Sequence, residues 1–185
     1  MRRCFAIAIL VVAVLIEAPG AQGTAPKPAA KPATAAGPML LVETVKGNIE
    51  IQLYPADAPK TVEHVLALVK RNFYNGQRIH RLVPGYVVQF GDPQTRDMTR
   101  RDRWGSGGSG RTIGVAEVKR KHVPGSVAIA HVGEDRESAD SQMYITFAAQ
   151  PKLDRDFTVF GQVTSGMDVV RKLAVNDVIR RVTVK

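Results

Sequence analysis

The sequence predicts a mainly β domain, an antiparallel barrel or sandwich carrying two helices. Three observations lead there. Short runs rich in Val, Ile, Phe, Tyr and Thr recur between Leu40 and Val184, bounded by turn residues. Helix signals occur in two stretches, after Asp57 and after Met167. Two polar residues, Arg81 and Gln89, sit inside apolar runs, where a strand would point them away from a core.

Each element follows in order. Leu40–Val45 and Asn48–Tyr54 are β-rich, with Lys46-Gly47 between them as a hairpin turn. Asp57 is placed to cap a helix whose first turn holds Pro59, and Val62, Val65, Leu66 and Val69 form its apolar stripe. Asn75-Gly76 marks a turn. Two strands follow in "RIHRLVPGYVVQFGD", Arg78 to Asp92, around Pro84-Gly85. Period two puts Val87 and Gln89 on one face of the second strand, and Tyr86, Val88 and Phe90 on the other. From Pro93 to Thr112 the chain is polar and Gly-rich, a loop without structure of its own and of a length that is usually functional or mobile. Strands are expected again at Ser126–Ala130, Met143–Phe147, Phe157–Val163 and Val178–Val184, with a short helix over Met167–Leu173.

Ahead of this domain the chain changes character. Arg2 and Arg3 precede the unbroken apolar run Phe5–Ile16, and Ala21-Gln22-Gly23 supplies small residues. That is the layout of a secretory signal peptide over residues 1–23. The run is well short of the ~20 apolar residues a membrane span needs, so no stable span is expected once the signal is removed. The expected location is therefore exported, periplasmic or secreted. Residues 24–38 are rich in Ala, Pro and Lys and read as an extended linker, and the folded domain is expected over 39–185.

Composition narrows the chemistry. Cys4 is the one cysteine and lies in the leader, so a mature chain has no disulfide, thiol nucleophile or Cys-based metal site. The net charge of +9 leaves +6 on residues 39–185, because Arg2, Arg3 and Glu17 give the leader +1 and Lys27 and Lys31 give the linker +2. Arg96, Arg100, Arg101, Arg103 and Arg111 cluster, but Asp97 and Asp102 interleave, which favours a solvated loop over a nucleic-acid surface. His64, His80, His122 and His131 form no ligand spacing, and no metal site is expected. His64 reads as a residue at the boundary of the apolar stripe on its helix. "GSGGSG" lacks the ending of a phosphate loop, and "GSVAIAH" is not a nucleophile elbow.

At this point the motifs "HRLVPGYVVQFGD" at His80, "DAPKTVEHVLAL" at Asp57, "GSVAIAH" at Gly125, "SADSQMYIT" at Ser138 and "LDRDFTVFGQVTSGMDVV" at Leu153 stand in a telling order. Together they resemble the cyclophilin-type peptidyl-prolyl cis-trans isomerases, over roughly Met39 to Lys185. The resemblance implies a closed eight-stranded antiparallel β-barrel capped by two α-helices. It also implies an enzyme without cofactor that acts as a monomer on proline-containing polypeptide segments and assists protein folding.

The residue roles are carried by the same resemblance. Arg81 is the catalytic residue. Tyr86, Val87, Tyr144, Leu153 and Phe157 build a slot for the proline ring. Gln89 donates to the carbonyl before the proline, Gln142 orients Arg81 or binds substrate backbone, and Ala130 with the backbone of His131 lines the subsite before proline. Taken alone, Val87, Leu153 and Phe157 read equally as plain core, and Arg81 as a surface strand residue paired to a carboxylate. Departures from the family pattern are Tyr86, Met143 and Tyr144 where phenylalanine is usual, Phe157 where histidine or tyrosine is frequent, and Lys152 where eukaryotic members often carry tryptophan. A proline-binding chaperone or scaffold with little turnover is the alternative; members that only bind often lose the arginine, which is present here.

Overall fold

Alternation closes into a barrel in residues 37–185, the part of the chain that the computed structural model describes. The leader, and all of the linker except Gly37 and Pro38, lie outside the described residues. Strand β1 (Met39–Thr44) and strand β2 (Gly47–Leu53) form a hairpin. Thr44 pairs with Gly47, so the turn is Val45-Lys46, one residue earlier than expected, and Gly47 opens β2 at φ +135°. The remaining strands are β3 (Arg81–Val83), β4 (Val87–Phe90), β5 (Ser126–Ile129), β6 (Met143–Thr146), β7 (Val159–Ser165) and β8 (Ile179–Val184).

The strand order is β3-β4-β6-β5-β7-β2-β1-β8, and every pairing is antiparallel. The eight expected strands are all present. The last seam is not a ladder between β3 and β8. A single bridge, Arg78 to Val178, joins the residues just before each strand. Ile79 N–H donates to Asp177 O at 2.9 Å and Ile179 N–H to Gln77 O at 2.8 Å. β3 is three residues long, so its own edge is too short to carry the closure.

Inward residues fill the interior. Leu40, Val42, Ile49, Ile51, Val88, Phe90, Ile145 and Phe160 are buried in one cluster with Tyr74. Helix α1 (Pro59–Lys70) lies against β8, and helix α2 (Met167–Lys172) against β2. α1 buries Val62, Val65, Leu68 and Val69, while Leu66 is half-buried. Three of the four expected stripe residues are therefore buried, and Leu68 takes the place expected for Leu66. Each such aliphatic contributes about 1.5–3 kcal/mol of burial, which outweighs any cap.

The cap itself differs from expectation. Asp57 does not cap α1; the N-cap is Ala58, with no side-chain hydrogen bond, and the Asp57 carboxylate pairs with Arg120. The free N–H groups of the first turn go to Glu117 instead. Its Oε1 accepts from Lys60 N at 3.0 Å and its Oε2 from Thr61 N at 2.9 Å. A carboxylate there also meets the positive end of the helix dipole.

The loop after β4 is not without structure. It contains 3₁₀ turns at Pro93–Arg96 and Met98–Arg103. Two carboxylates pin it. Asp92, fully buried, accepts from the N–H groups of Gln94, Gly105 and Gly107. Asp140 accepts from the Ser109 hydroxyl and from Gly110 N. His64, expected beside the apolar stripe of α1 and half-buried there, lies 3.2 Å from the same Asp140.

Candidate active site

The site lies on the outer face of the barrel wall. Register explains why. Arg81 is opposite Gln89, Gln89 opposite Tyr144, Tyr144 opposite Ala128, and Ala128 opposite Val159. These five residues form one cross-strand row over β3, β4, β6, β5 and β7, with neighbours about 4.8 Å apart. The next row, Leu82, Val88, Ile145 and Val127, faces inward. Period two therefore lets Arg81 and Gln89 sit in apolar strands without entering the core.

Four residues of the outer face make a second apolar cluster, separate from the interior: Val87, Ala128, Tyr144 and Val159 are buried. Tyr86, Ala130, Leu153 and Phe157 pack against it, half-buried. Tyr86 thus lies on the opposite side from the one period two assigned. Val83 pairs with Val87, leaving Pro84, Gly85 and Tyr86 as a three-residue turn, so the alternation does not extend to Tyr86. Phe157 likewise precedes β7 and is not part of it, and its ring stands edge-on to Tyr144 at 5.7 Å.

A cavity of about 200 Å³ opens over this cluster. Arg81, Gln89 and Tyr86 wall it together with Val87, Ala130 and His131, and Tyr144, Leu153 and Phe157 complete the lining. Nine of the ten residues singled out in the sequence thus meet around one cavity. The tenth, Gln142, lines an adjoining cavity of about 520 Å³ that shares Gln89, Ala130 and His131.

The polar groups are strung in a fixed order. Arg81 Nη1 donates to Gln89 Oε1 at 3.3 Å, and Gln89 Nε2 donates to Gln142 Oε1 at 2.9 Å. Gln142 Nε2 then donates to the carbonyls of Gly105 (2.9 Å) and Gly107 (2.8 Å). Gln89 is the group that touches Arg81, and Gln142, expected to orient Arg81 or to bind substrate backbone, reaches it through Gln89. Gln142 acts one step further out and ties the string to the glycine loop. One N–H of the Gln89 amide remains free to face the cavity. The Ala130 backbone N–H is spent on Gln142 O at 2.8 Å. The His131 ring stacks on Phe157 at 4.2 Å and 14°.

Sequence reasoning passed over two residues behind the slot. His122 Nε2 lies 3.0 Å from the Tyr144 hydroxyl, and its Nδ1 lies 3.0 Å from Asp154 Oδ1. Burial lowers the pKa of His122, opposed by Asp154. Burial raises that of Tyr144. The His122 backbone N–H holds the Asp154 carboxylate below its usual range. Among the described residues no group of three or more His, Cys, Asp or Glu could hold a metal ion.

An apolar slot with a permanently charged donor on its wall fits a conformational reaction, in which a substrate is twisted and no bond is broken. The chain matches the family model described as cyclophilin type peptidyl-prolyl cis-trans isomerase over residues 39–185. It is 39% identical to a peptidyl-prolyl cis-trans isomerase of Helicobacter pylori (strain ATCC 700392 / 26695) across 76% of this chain and 83% of that one. It is 37% identical to peptidyl-prolyl cis-trans isomerase B of Bacillus subtilis (strain 168), across 75% and 92%. A crystal structure of a cyclophilin type isomerase from Cryptosporidium parvum has the same fold, with a TM-score of 0.71 at 22% identity, covering 80% of this chain and 97% of that one. The same parasite protein was also solved in the presence of the dipeptide Ala-Pro. The protein belongs to the cyclophilin-type peptidyl-prolyl cis-trans isomerases, enzymes that work without a cofactor.

Proposed function

We propose that this groove binds X–Pro segments of exported polypeptides and speeds rotation about the prolyl bond, with Arg81 as the catalytic residue. The reaction fits the groups present. The barrier to peptide rotation is about 18–20 kcal/mol, yet the cis and trans X–Pro forms differ by only about 1 kcal/mol. In the twisted transition state amide resonance is lost and the prolyl nitrogen becomes basic. A guanidinium aimed at that nitrogen stabilises the twisted form more than either planar form. Arginine suits the role because it stays charged and presents donors in a fixed fork.

The single observation that carries this reading is the placement of Arg81 on the wall of a cavity that also holds the apolar side chains of Val87, Tyr144, Leu153 and Phe157. The proline ring packs on those side chains. The free N–H of Gln89 meets the carbonyl before the proline, and the residue before proline lies along Ala130 and His131.

An X–Pro peptide exchange assay, protease-coupled or by NMR, tests the assignment. Arg81→Ala is expected to lose on the order of a hundredfold in rate while remaining folded, the scale of removing one transition-state donor. Equal rates for Arg81→Ala and the parent would remove Arg81 from the role. The same assay separates an isomerase from a proline-binding scaffold with little turnover.

Export is supported by the charged start, the short apolar run Phe5–Ile16 and the small residues Ala21 to Gly23. Mass spectrometry of protein from its native envelope is expected to find an N-terminus near Thr24. An intact Met1–Cys4 on the mature protein overturns it. A monomer is supported by a sheet that closes on itself and leaves no long free edge. Light scattering checks that.

A further inference from the structure

Behind the proline slot three side chains form a line that prolyl rotation does not itself require. Tyr144 lends its ring to the floor of the slot, but its hydroxyl turns away, to His122 Nε2 at 3.0 Å. His122 Nδ1 lies 3.0 Å from Asp154 Oδ1, and the His122 backbone N–H donates to that same oxygen at 2.6 Å. The His122 side chain has no exposed surface, and Tyr144 is 4% exposed.

The proton positions follow from these partners. A carboxylate is acceptor-only, so it fixes the ring proton of neutral His122 on Nδ1. Nε2 then offers a lone pair, and the Tyr144 hydroxyl donates to it. The slot is lined by Tyr144 while its hydroxyl is engaged by His122. Leaving that hydroxyl buried without a partner would carry the full penalty of an unmade hydrogen bond.

We propose that His122, oriented by Asp154, is a positioning residue for prolyl isomerisation: when neutral it keeps the hydrogen of the Tyr144 hydroxyl turned away from the proline slot, and protonation of His122 in acid reverses that bond and leaves the hydrogen to face the slot. The inference rests on the reading of this cavity as the proline slot. Protonation places an N–H on Nε2, facing the phenol oxygen. That oxygen then accepts, and its own hydrogen loses its acceptor. The groups facing the pair are few. Arg81 on β3 is a donor and offers no acceptor. Tyr86 lies in the turn before β4, on the groove side. Asp154 is already bound to His122, and Lys121 stands beside Asp154. The oxygen stays bonded to His122, and only its hydrogen swings to the side away from the ring nitrogen, toward Tyr86 and the groove, so a donor without a partner faces a floor shaped for a pyrrolidine ring. Burial holds His122 below the ordinary histidine pKa, so the reversal takes place in acid below about pH 6.5.

The effect is on binding more than on chemistry, because the slot grips the proline ring in ground state and transition state alike. The test is a pH series from 8 to 5 on one X–Pro peptide free of groups that titrate in that range. Parent, Tyr144→Phe, His122→Gln and the double variant are compared, and the His122 ring is followed by NMR. In the parent, KM is expected to rise about tenfold through the midpoint seen for His122, with kcat changing less. In Tyr144→Phe, whatever its own activity, that step disappears, although His80 is still there to titrate. His122→Gln raises KM at pH 8 when Tyr144 is present and adds nothing to Tyr144→Phe.

A KM that stays flat across the His122 midpoint overturns the proposal, as does an equal effect of His122→Gln in both backgrounds. Should His122→Gln fail to fold, the parent and Tyr144→Phe profiles decide alone. Failure of the slot reading itself is a different result: the parent shows no turnover of the peptide at pH 8, and this inference falls with it.

Discussion

Glu117 caps a helix from 56 residues away: its Oε2 accepts both the backbone N–H of Thr61, at 2.9 Å, and the Thr61 hydroxyl, at 2.8 Å. Thr61 is fully buried, so no water replaces a lost partner there. Glu117→Ala is expected to destabilise the domain by about 1–3 kcal/mol, whereas Asp57→Ala, which loses a half-exposed pair with Arg120, costs under about 1 kcal/mol. Thermal unfolding checks this, at roughly 2–4 °C per kcal/mol for a domain of this size. The reverse order of the two variants would return the cap to Asp57.

Gln142 is the junction between the site and its glycine loop. Gln142→Ala removes the bonds to Gln89, Gly105 and Gly107 together. Three hydrogen bonds at about 1 kcal/mol each, part of which reaches the transition state through Gln89, predict a fall of about tenfold in kcat/KM. Hydrogen exchange at residues 105–110 is expected to quicken in the same variant. Unchanged kinetics with a loosened loop would detach the loop from catalysis.

Stability should fall in mild acid. Burial lowers the pKa of His80 and of His122 below the ordinary value near 6.5. Between the folded and unfolded values the unfolded chain binds more protons. The contribution of these two neutral rings is therefore complete above about pH 6.5 and is lost as pH drops toward their folded values. Asp140 adds a second loss at lower pH. Burial pushes its carboxyl up, but bonds from His64, Ser109 and Gly110 outweigh this and hold it low. Its contribution is present above the ordinary aspartate range and disappears as pH falls through the folded value. Urea midpoints at pH 7.5, 5 and 3 are expected to decrease in that order, and equal midpoints at 7.5 and 5 would contradict the histidine part.

Cyclosporin, a cyclic peptide that occupies the proline groove of many cyclophilins, should inhibit this protein weakly. Lys152 stands where strongly inhibited relatives carry tryptophan. It is exposed in the 3₁₀ turn Pro151–Leu153, whose Leu153 lines the slot. Lysine offers no flat apolar face, and its flexible stem must be immobilised to donate. The difference is on the order of 2–3 kcal/mol, roughly a hundredfold in affinity. Lys152→Trp is expected to recover that factor with little change in peptide turnover. Titration of the drug against both forms decides it, and nanomolar inhibition of the parent would sink the idea.

Strand positions were legible because alternation is local. Val88 and Phe90 inward with Val87 and Gln89 outward needs four consecutive residues and nothing else. Tyr86 was misread because a turn of three residues ends the alternation one residue earlier than "VPGYVVQ" suggests. What failed more widely was partner choice for carboxylates. Asp57, Asp92, Glu117, Asp140 and Asp154 look alike in sequence, and each could cap, pair or face water. Only folding decides that Glu117 reaches Thr61, or that Asp92 collects the N–H groups of Gly105 and Gly107. The Arg81, Gln89, Gln142 set was recognisable as a group. Its order was not, because register between β4 and β6 places Gln89 between the other two. The pairing of His122 with Tyr144 left no periodic trace, since one is in a loop and the other in a strand 22 residues on.

The barrel wall is one residue thick, and its two sides carry separate duties. Val88, Ile145 and Val127 hold the interior, while their strand neighbours Val87 and Tyr144 line the slot and Ala128 packs with them. A change in the slot alters which peptides fit without opening a void in the interior, so lineages can drift in client choice while the scaffold stays put. Directed evolution of new selectivity in this domain can therefore be confined to alternate residues of β4, β5 and β6, with the intervening ones left untouched as the part that keeps every variant folded.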